Sequence, residues 1–313
     1  MEQLTLGPTD MRIPPLCLGG VPWGRWGLAE PDALRMLDLA LDRGLCFWDT
    51  ADVYGGGDSE LIIGKAMRGR RSRVVLATKF GMRTGPGPHG AGCSRHVIVR
   101  QVEESLRRLQ TEYLDLYQAH VFDPATPPEE TLRALDDLVR AGKVRHAGCS
   151  NYPPAEVAAA LQCADGLGLR RPVAVQPEYS LFCPGPEEEL LPLCGREGLT
   201  VLAYSPLDHG RLSGKYRAGR PVPPDSGAAR NRWDWERPDL RAKLQAVERL
   251  AAIAGARGCT VAHLSLAYLM AHPGVVPIIG VRSVQQMDDN LAATGVRLAA
   301  ADLVAVREAA RLS

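Results

Sequence analysis

The segment LDLYQAHVFDPATPPEETLRALDDLVRAGKVRHAGCS, residues 114–150, contains one complete strand–helix–strand unit. Both of its ends are short and largely apolar, which is typical of parallel strands that are buried on two faces. Between the ends, Leu132, Leu135 and Leu138 recur at helical spacing, so one apolar face of a helix would lie against a sheet. The segment therefore predicts two parallel strands joined by an amphipathic helix.

The same alternation of short apolar runs and helical stretches repeats on both sides of this segment. The runs that predict strands are eight in number: 16–19, 46–49, 74–79, 114–120, 144–150, 173–176, 200–204 and 275–280. Eight strands with intervening helices predict an α/β fold, a (β/α)8 TIM barrel, because open doubly wound sheets usually have about six strands. No linker divides the chain, so we expect one domain over residues 1–313, with a short N-terminal hairpin ahead of the barrel.

Two segments depart from the regular alternation. Residues 208–241 follow the seventh strand and are too long for an ordinary connection, so we expect a functional loop over the barrel mouth. Its Trp233 and Trp235 would cap a pocket. Residues 298–312 have apolar positions at helical spacing and predict a C-terminal helix across the outside or rim of the barrel.

The composition excludes several classes of protein. With 45% hydrophobic residues, 23% charged residues and a net charge of +1, the chain is neither disordered nor basic enough for nucleic acid. It shows no basic leader and no apolar stretch of membrane-spanning length, so we expect a cytoplasmic protein without membrane attachment. The eight cysteines form no CxxC pair, which argues against a metal site or a disulfide framework. A small molecule is the expected partner, and the oligomeric state is not readable from the sequence.

Polar side chains stand where the predicted strands end. Enzymes with this fold place their chemistry at the C-terminal ends of the barrel strands, so these side chains would face one cavity. The strand-end residues that can donate, accept or carry charge are Asp49, Lys79, His120, Ser150, Gln176 and Tyr204.

Tyr54 lies just beyond the second strand, within the run FWDTADVYGGG, and has a chemical rationale of its own. An unperturbed phenol has a pKa of about 10, and a neighbouring Lys79 ammonium would lower it. Asp49 would keep Lys79 charged, and His120 would bind the oxygen of a carbonyl. This set predicts proton donation to a developing alkoxide. Asp52 is expected to make local hydrogen bonds in the turn.

The motifs around these residues are similar to those of aldo-keto reductases over nearly the whole chain. They include DTADVYG, LATKFG, LDLYQAH, GCSNY, VQPEYS, LAYSPL and IIGVRS. The resemblance implies a catalytic tetrad of Asp49, Tyr54, Lys79 and His120, with Tyr54 as general acid. It implies reduction of an aldehyde or ketone by a nicotinamide cofactor bound without a Rossmann domain. The predicted pocket loops mix aromatic with charged residues, so sugar-like carbonyls are among the candidate substrates.

The resemblance also implies which residues bind the cofactor. Ser150, Asn151 and Gln176 would hold the nicotinamide carboxamide, and Tyr204 would stack on the ring. The residues toward the phosphates and the adenosine would be Ser205, Leu207, Lys215, Gly280, Arg282, Ser283, Gln286 and Asn290. Gly280 and Gln286 stand where many relatives carry a cation, which leaves Arg282 to clamp a 2′-phosphate. NADPH is therefore the expected cofactor, with NADH open.

Some assignments and alternatives remain open at this point. Trp23 and Trp233 are predicted to line the substrate pocket. A redox-sensing regulatory subunit, like the potassium-channel β subunits that resemble this family, would carry the same tetrad; we expect an enzyme because no extension precedes the predicted barrel. A Schiff-base aldolase with Lys79 as nucleophile is a third hypothesis. The G-x-G-x-x-G run at 85–90 is interrupted by prolines and predicts a loop rather than a dinucleotide site.

Overall fold

The structure is a computed structural model that describes residues 2–217, 221–224, 226–230, 232–235 and 237–312. Within these residues, eight parallel strands form a closed barrel in chain order, with the last strand paired to the first. The barrel strands are β3 (Cys17–Gly19), β4 (Phe47–Asp49), β5 (Val75–Phe80), β6 (Leu114–Ala119), β7 (Val144–Ser150), β8 (Ala174–Gln176), β9 (Thr200–Ala203) and β10 (Val275–Ile279). All eight predicted strands are confirmed, as is the predicted (β/α)8 fold.

Helices surround the barrel. Those in the described residues are α1 (Glu30–Asp42), α2 (Asp58–Ala66), α3 (Arg95–Leu109), α4 (Pro128–Arg140), α5 (Pro154–Leu167), α6 (Leu190–Glu197), α7 (Gly227–Arg230), α8 (Pro238–Ala256), α9 (Val261–Met270), α10 (Val284–Ala292) and α11 (Ala300–Ala310). Among the described residues no single helix could cross a membrane by length and composition; α8 and α9 pass that test only as a pair bent by 86°.

The helix faces agree with the predicted periodicity at most positions. Leu132, Leu135 and Leu138 of α4 are all buried against the sheet, so the apolar face predicted there is confirmed. In α3, Ile98, Val102, Leu106 and Leu109 are buried, whereas Val99 is 38% exposed. An apolar residue that borders the buried face of a helix, such as Val99, is a poor indicator of which side of that helix packs against the barrel.

An N-terminal hairpin closes one end of the barrel. Its strands β1 (Leu4–Thr5) and β2 (Arg12–Ile13) pair antiparallel, as predicted. Leu6 and Ile13 are fully buried among apolar residues of the barrel interior, and the Gly7 N–H donates to Thr200 Oγ1 at 2.7 Å at the start of β9. In the described part of the chain the hairpin thus covers the N-terminal end of the barrel, and the C-terminal ends of the strands face the other side.

The predicted C-terminal helix is α11, and it packs on the outside of the barrel against α8. Arg307 of α11 forms an ion pair with Glu187 at 2.8 Å. The buried Glu187 carboxylate also accepts hydrogen bonds from the phenols of Tyr179 and Tyr268, each at 3.0 Å. These contacts anchor α11 to the loop after β8 and to α9.

Candidate active site

A buried ion pair lies at the centre of the barrel mouth. Lys79 exposes none of its surface, and its Nζ donates to Asp49 Oδ1 at 2.5 Å. The same ammonium donates to the backbone oxygen of Thr50 at 2.9 Å and contacts the Tyr54 hydroxyl at 3.3 Å. An ammonium has three protons, so the three acceptors use all of them and fix the position of Nζ.

The second carboxylate oxygen of Asp49 has its own donors. Gln176 Nε2 donates to Asp49 Oδ2 at 2.9 Å, and Gln118 Nε2 does so at 3.2 Å. Gln118 was not singled out from the sequence. Since it stands two residues before His120 on the same strand, alternation places both side chains toward the barrel interior. A polar residue at an interior position was the signal that could have identified it.

The ion pair sets the charge of Lys79. Burial by itself lowers the pKa of Lys79, but the Asp49 carboxylate and the Tyr54 hydroxyl outweigh burial and raise this pKa above its usual value. Lys79 is therefore a cation at neutral pH. A Schiff-base lysine needs the opposite shift, so the geometry argues against the aldolase hypothesis.

Tyr54 is presented by a tight turn after β4. The next three residues, Gly55, Gly56 and Gly57, have φ angles of 59°, 65° and 101°, which side chains other than hydrogen rarely adopt. The predicted decrease in the Tyr54 pKa is wrong for this structure. Burial raises the pKa of the phenol more than the Lys79 ammonium lowers it. The Lys79 ammonium thus offsets only part of the increase in the Tyr54 pKa that burial causes.

His120 faces Tyr54 across the mouth. The two ring centroids are 5.7 Å apart with an 80° angle between the planes. Burial, assisted by the Lys79 charge, lowers the pKa of His120 to about 3. The imidazole is therefore neutral at neutral pH and can donate one hydrogen bond to a carbonyl oxygen without carrying charge.

A cavity of about 1000 Å³ runs from this centre toward β10 and α10. Asp49, Tyr54 and His120 line one end of it. All of the residues predicted to bind the cofactor line the same cavity: Ser150, Asn151, Gln176, Tyr204, Ser205, Leu207, Lys215, Gly280, Arg282, Ser283, Gln286 and Asn290. The structure thus brings them together, and their contacts to a nucleotide stay a prediction. The loop after β3 also lines the cavity through Val21, Pro22 and Leu28, which the sequence reasoning missed.

The end of the cavity nearest Tyr54 has the donors and acceptors that an amide requires. Tyr204 donates its hydroxyl proton to Asn151 Oδ1 at 2.9 Å, and Asn151 Nδ2 lies 3.1 Å from Ser150 Oγ. Asn151 has a φ of 57°, a left-handed conformation that asparagine tolerates better than most residues. These groups hold one another in place, and they fit the carboxamide of a nicotinamide.

The opposite end of the cavity fits the phosphates and adenosine of a nucleotide. Ser283 caps α10, since its hydroxyl accepts from the Gln286 N–H at 3.2 Å. The Gln286 side chain in turn accepts from the Arg282 N–H at 2.9 Å. The N-terminal residues of α10, Arg282 and Lys215 line the same cavity, and a helix N-terminus and cationic side chains favour negative charge.

Two sequence predictions about the substrate pocket need correction. Trp23 exposes none of its surface and belongs to the main hydrophobic core, because the loop after β3 folds inward at this residue. Trp233 packs against Tyr216 and Trp235, and the Arg211 guanidinium lies 4.2 Å from the Trp233 ring centroid. Neither tryptophan is among the residues that line the cavity.

Asp52 also differs from the prediction. Its side chain is only 3% exposed, and neither carboxylate oxygen has a hydrogen-bond partner among the described residues. The Val53 N–H acts on this carboxyl group and lowers its pKa, but local hydrogen bonds of ordinary geometry, as expected in the turn, are not found among the described residues. The G-x-G-x-x-G run, by contrast, lies in the loop between β5 and α3, and its residues are not among those that line the cavity.

The fold and the site together define a barrel oxidoreductase. The model of the Aldo/keto reductase family matches residues 15–311. Aldo-keto reductase AMT2 of Alternaria alternata is 34% identical over 94% of this chain and 87% of its own length. Versiconal hemiacetal acetate reductase of Aspergillus parasiticus is 30% identical over 95% and 94%, and a probable voltage-gated potassium channel subunit beta of Arabidopsis thaliana is 34% identical over 95% and 92%.

The chain belongs to the aldo/keto reductase family. Members of this family are NAD(P)H-dependent oxidoreductases that act on small-molecule carbonyl compounds.

Proposed function

We propose that this protein reduces an aldehyde or ketone to an alcohol with NADPH and that Tyr54 is the general acid. The observation that carries the proposal is the position of the Lys79 ammonium, which is 2.5 Å from Asp49 Oδ1 and 3.3 Å from the Tyr54 hydroxyl. An acid that must lose a proton inside a protein needs a fixed positive charge beside it.

The roles of the four residues follow from their contacts. Tyr54 gives its proton to the carbonyl oxygen of the substrate, and the Lys79 ammonium stabilises the phenolate that remains. Asp49 keeps Lys79 charged and in place. His120, which is neutral, donates a hydrogen bond to the same carbonyl oxygen and so orients it toward Tyr54. The reduced nicotinamide, when bound, supplies the hydride.

The residues of the cavity would hold the nucleotide in an extended conformation. Ser150, Asn151 and Gln176 would bind the carboxamide, and Tyr204 would lie against the ring. The loop from Ser205 through Lys215 would follow the pyrophosphate. This loop carries several left-handed residues other than glycine, Ser205, Asp208 and His209, at φ of 51°, 47° and 55°, and such strain is often found where a loop holds a ligand.

Arg282 is the residue that we expect to distinguish NADPH from NADH. Replacing it with alanine should weaken NADPH binding by about 10- to 100-fold, roughly 1.4 to 2.8 kcal/mol, because a guanidinium contact to the 2′-phosphate is lost. The affinity for NADH should stay nearly unchanged. Quenching of tryptophan fluorescence measures both dissociation constants, and Arg35→Ala on the exposed side of α1 is the control. An equal loss for both nucleotides would exclude a 2′-phosphate contact.

Exposed apolar side chains at the rim of the barrel mouth indicate which kind of substrate the site favours. Val21, Met82 and Val121 are 46%, 39% and 36% exposed, and each stands two residues beyond the end of β3, β5 or β6. These three strands and β4 are neighbours in the barrel, so the three residues follow nearby strand ends, and Val21 lines the cavity together with Tyr54. Exposed apolar side chains beside a reacting centre favour a substrate with an apolar group next to its carbonyl over a bare sugar.

The function is tested by following NADPH oxidation with an aromatic aldehyde and with an aldose. We expect reduction of both or of the aromatic aldehyde alone, with kcat/KM at least about tenfold higher for the aromatic compound because it buries apolar area on the rim. Val121→Asn should lower that ratio and leave NADPH binding unchanged. A preference for the aldose would contradict the apolar substrate, and no oxidation of NADPH by any carbonyl compound would contradict the reductase.

A redox-sensing regulatory subunit is the second candidate. Relatives of Arabidopsis thaliana and Oryza sativa that are 34% and 35% identical are named probable voltage-gated potassium channel subunits beta. A regulator of that kind would bind NADPH but turn over more slowly than about one per second, below the usual range of enzymes. Steady-state turnover with a panel of aldehydes therefore separates the two candidates.

A further inference from the structure

Asp52 is a buried acid that the proposed reaction does not use. It lies between β4 and Tyr54, and only 3% of the residue is exposed. Both of its carboxylate oxygens are buried and lack a hydrogen-bond partner in the described part of the chain. A carboxylate in such a position would lose its hydration, and the Val53 N–H would compensate only in part.

The neighbours of Asp52 do not supply a dedicated counter-charge. Glu60 of α2 is fully buried and accepts hydrogen bonds from Thr78 Oγ1 and from Arg108 Nε, each at 2.6 Å. Arg108, the cation on the α3 side, is thus already paired with Glu60. Lys79, the cation on the barrel side, is paired with Asp49.

The same region contains a second polar group without a partner. The Tyr117 hydroxyl on β6 is buried and makes no hydrogen bond within the described residues. Burial, followed by the charges of Asp52 and Glu60, raises the pKa of the Tyr117 phenol well above its usual value. Tyr117 is therefore neutral, and it cannot balance a negative charge on Asp52.

These surroundings favour the uncharged form of Asp52. Burial and then the Glu60 carboxylate raise the pKa of Asp52 to about 8, while Arg108, the Val53 N–H and Lys79 offset only part of this increase. The charge of Asp52 in turn raises the pKa of Tyr54. An ionised Asp52 would therefore act on the group that donates the proton.

We propose that Asp52 is a neutral carboxylic acid buried behind the catalytic turn and that its ionisation at alkaline pH weakens Tyr54 as a proton donor. This inference rests on the proposed role of Tyr54. The phenolate left on Tyr54 after proton transfer is stabilised by Lys79, and a second negative charge behind the turn opposes that stabilisation. The charged and titratable groups that act on this turn from the surrounding elements are Asp49, Glu60, Lys79, Glu104, Arg108 and Tyr117.

The test compares the wild-type protein with Asp52→Asn, which keeps the shape of the side chain and removes its ionisation. We expect equal kcat/KM for carbonyl reduction at about pH 6 to 7 and, above about pH 8, a decrease in the wild type that the variant lacks, reaching about tenfold. Asp58→Asn is the matched control. Asp58 begins α2 directly after this turn, but hydrogen bonds from Arg25 lower its pKa, so the Asp58→Asn substitution should not alter the decrease in activity at alkaline pH.

A second readout does not depend on turnover. A carboxyl group whose pKa is raised on folding stabilises the folded state fully below its unfolded pKa, and this contribution is lost as pH rises through the folded pKa. The Tm of Asp52→Asn should therefore rise relative to that of the wild type between about pH 4 and about pH 8, and the difference should level off above that range.

Each measurement can overturn the proposal. Parallel pH profiles of activity, or a difference in Tm that does not change with pH, would show that Asp52 is already ionised at neutral pH or that its charge does not reach Tyr54. Absence of reduction by both proteins at every pH would instead refute the proposed function. The Tm comparison would then still decide whether Asp52 is uncharged in the folded protein.

Discussion

Replacing Tyr54 with phenylalanine should lower kcat/KM for carbonyl reduction by about 10²- to 10⁴-fold, the usual contribution of a general acid. The substitution removes one oxygen atom and its proton. It keeps the ring that packs edge-on against His120. NADPH should bind to the variant about as tightly as to the wild type, because the predicted contacts to the nucleotide come from other residues. Stopped-flow and steady-state assays measure the first quantity, and fluorescence titration measures the second.

The control for this variant is Tyr113→Phe. Tyr113 precedes β6, on the far side of the barrel from the mouth, where Arg71 and Arg145 pack against its ring. Its replacement should leave both activity and nucleotide binding unchanged. A Tyr54→Phe protein that retains more than about a tenth of the wild-type kcat/KM would contradict the assignment of Tyr54 and direct attention to His120 as proton donor.

Replacing Lys79 with methionine should lower the free energy of unfolding by about 3 to 5 kcal/mol and abolish reduction. Methionine fills a similar volume but leaves the Asp49 carboxylate buried without its cation. The remaining donors to Asp49, Gln118 and Gln176, are neutral amides and compensate only in part. Urea unfolding followed by circular dichroism measures the loss of stability.

The double variant Asp49→Asn/Lys79→Met separates stability from catalysis. It removes both charges, so a large part of the lost free energy of unfolding should return, since the cost in the single variant arises from an unpaired buried charge. Activity should not return, because no cation remains beside Tyr54. Recovery of activity in the double variant would show that the ion pair is structural only. Failure to recover stability would show that packing rather than charge dominates at this site.

Much of the fold could be predicted from the sequence because it depends on periodicity. The eight strands are short, apolar and regularly spaced, and residues such as His120 and Gln176 fall at their ends, where a parallel barrel must bring side chains together. The convergence of these residues on one cavity followed from the topology alone. Residues such as Ser283 and Asn290 were placed by the family resemblance.

The remaining features depend on how loops pack and on how deeply polar groups are buried, which the spacing of residues along the sequence does not show. Trp23 turns into the core because its loop folds inward, and a loop has no period from which to read that direction. The pKa of Tyr54 depends on burial and on the charges of Lys79, Asp49 and Asp52, and the sequence shows these charged residues but not the burial. The sequence predicted that Asp52 makes local hydrogen bonds in the turn, but its carboxylate oxygens are buried and have no partner of hydrogen-bond geometry among the described residues.

The three acceptors that hold Lys79 have an evolutionary consequence. They belong to β4 and the turn that follows it, so the contacts that fix Lys79 are present before a substrate binds. None of these three contacts comes from a rim residue. Val21, Met82 and Val121 lie in the loops after β3, β5 and β6, and their side chains are not among the contacts that fix the ammonium. Lineages can therefore exchange rim residues to adopt new compounds while the proton-transfer apparatus is inherited intact, which makes this architecture easy to diversify.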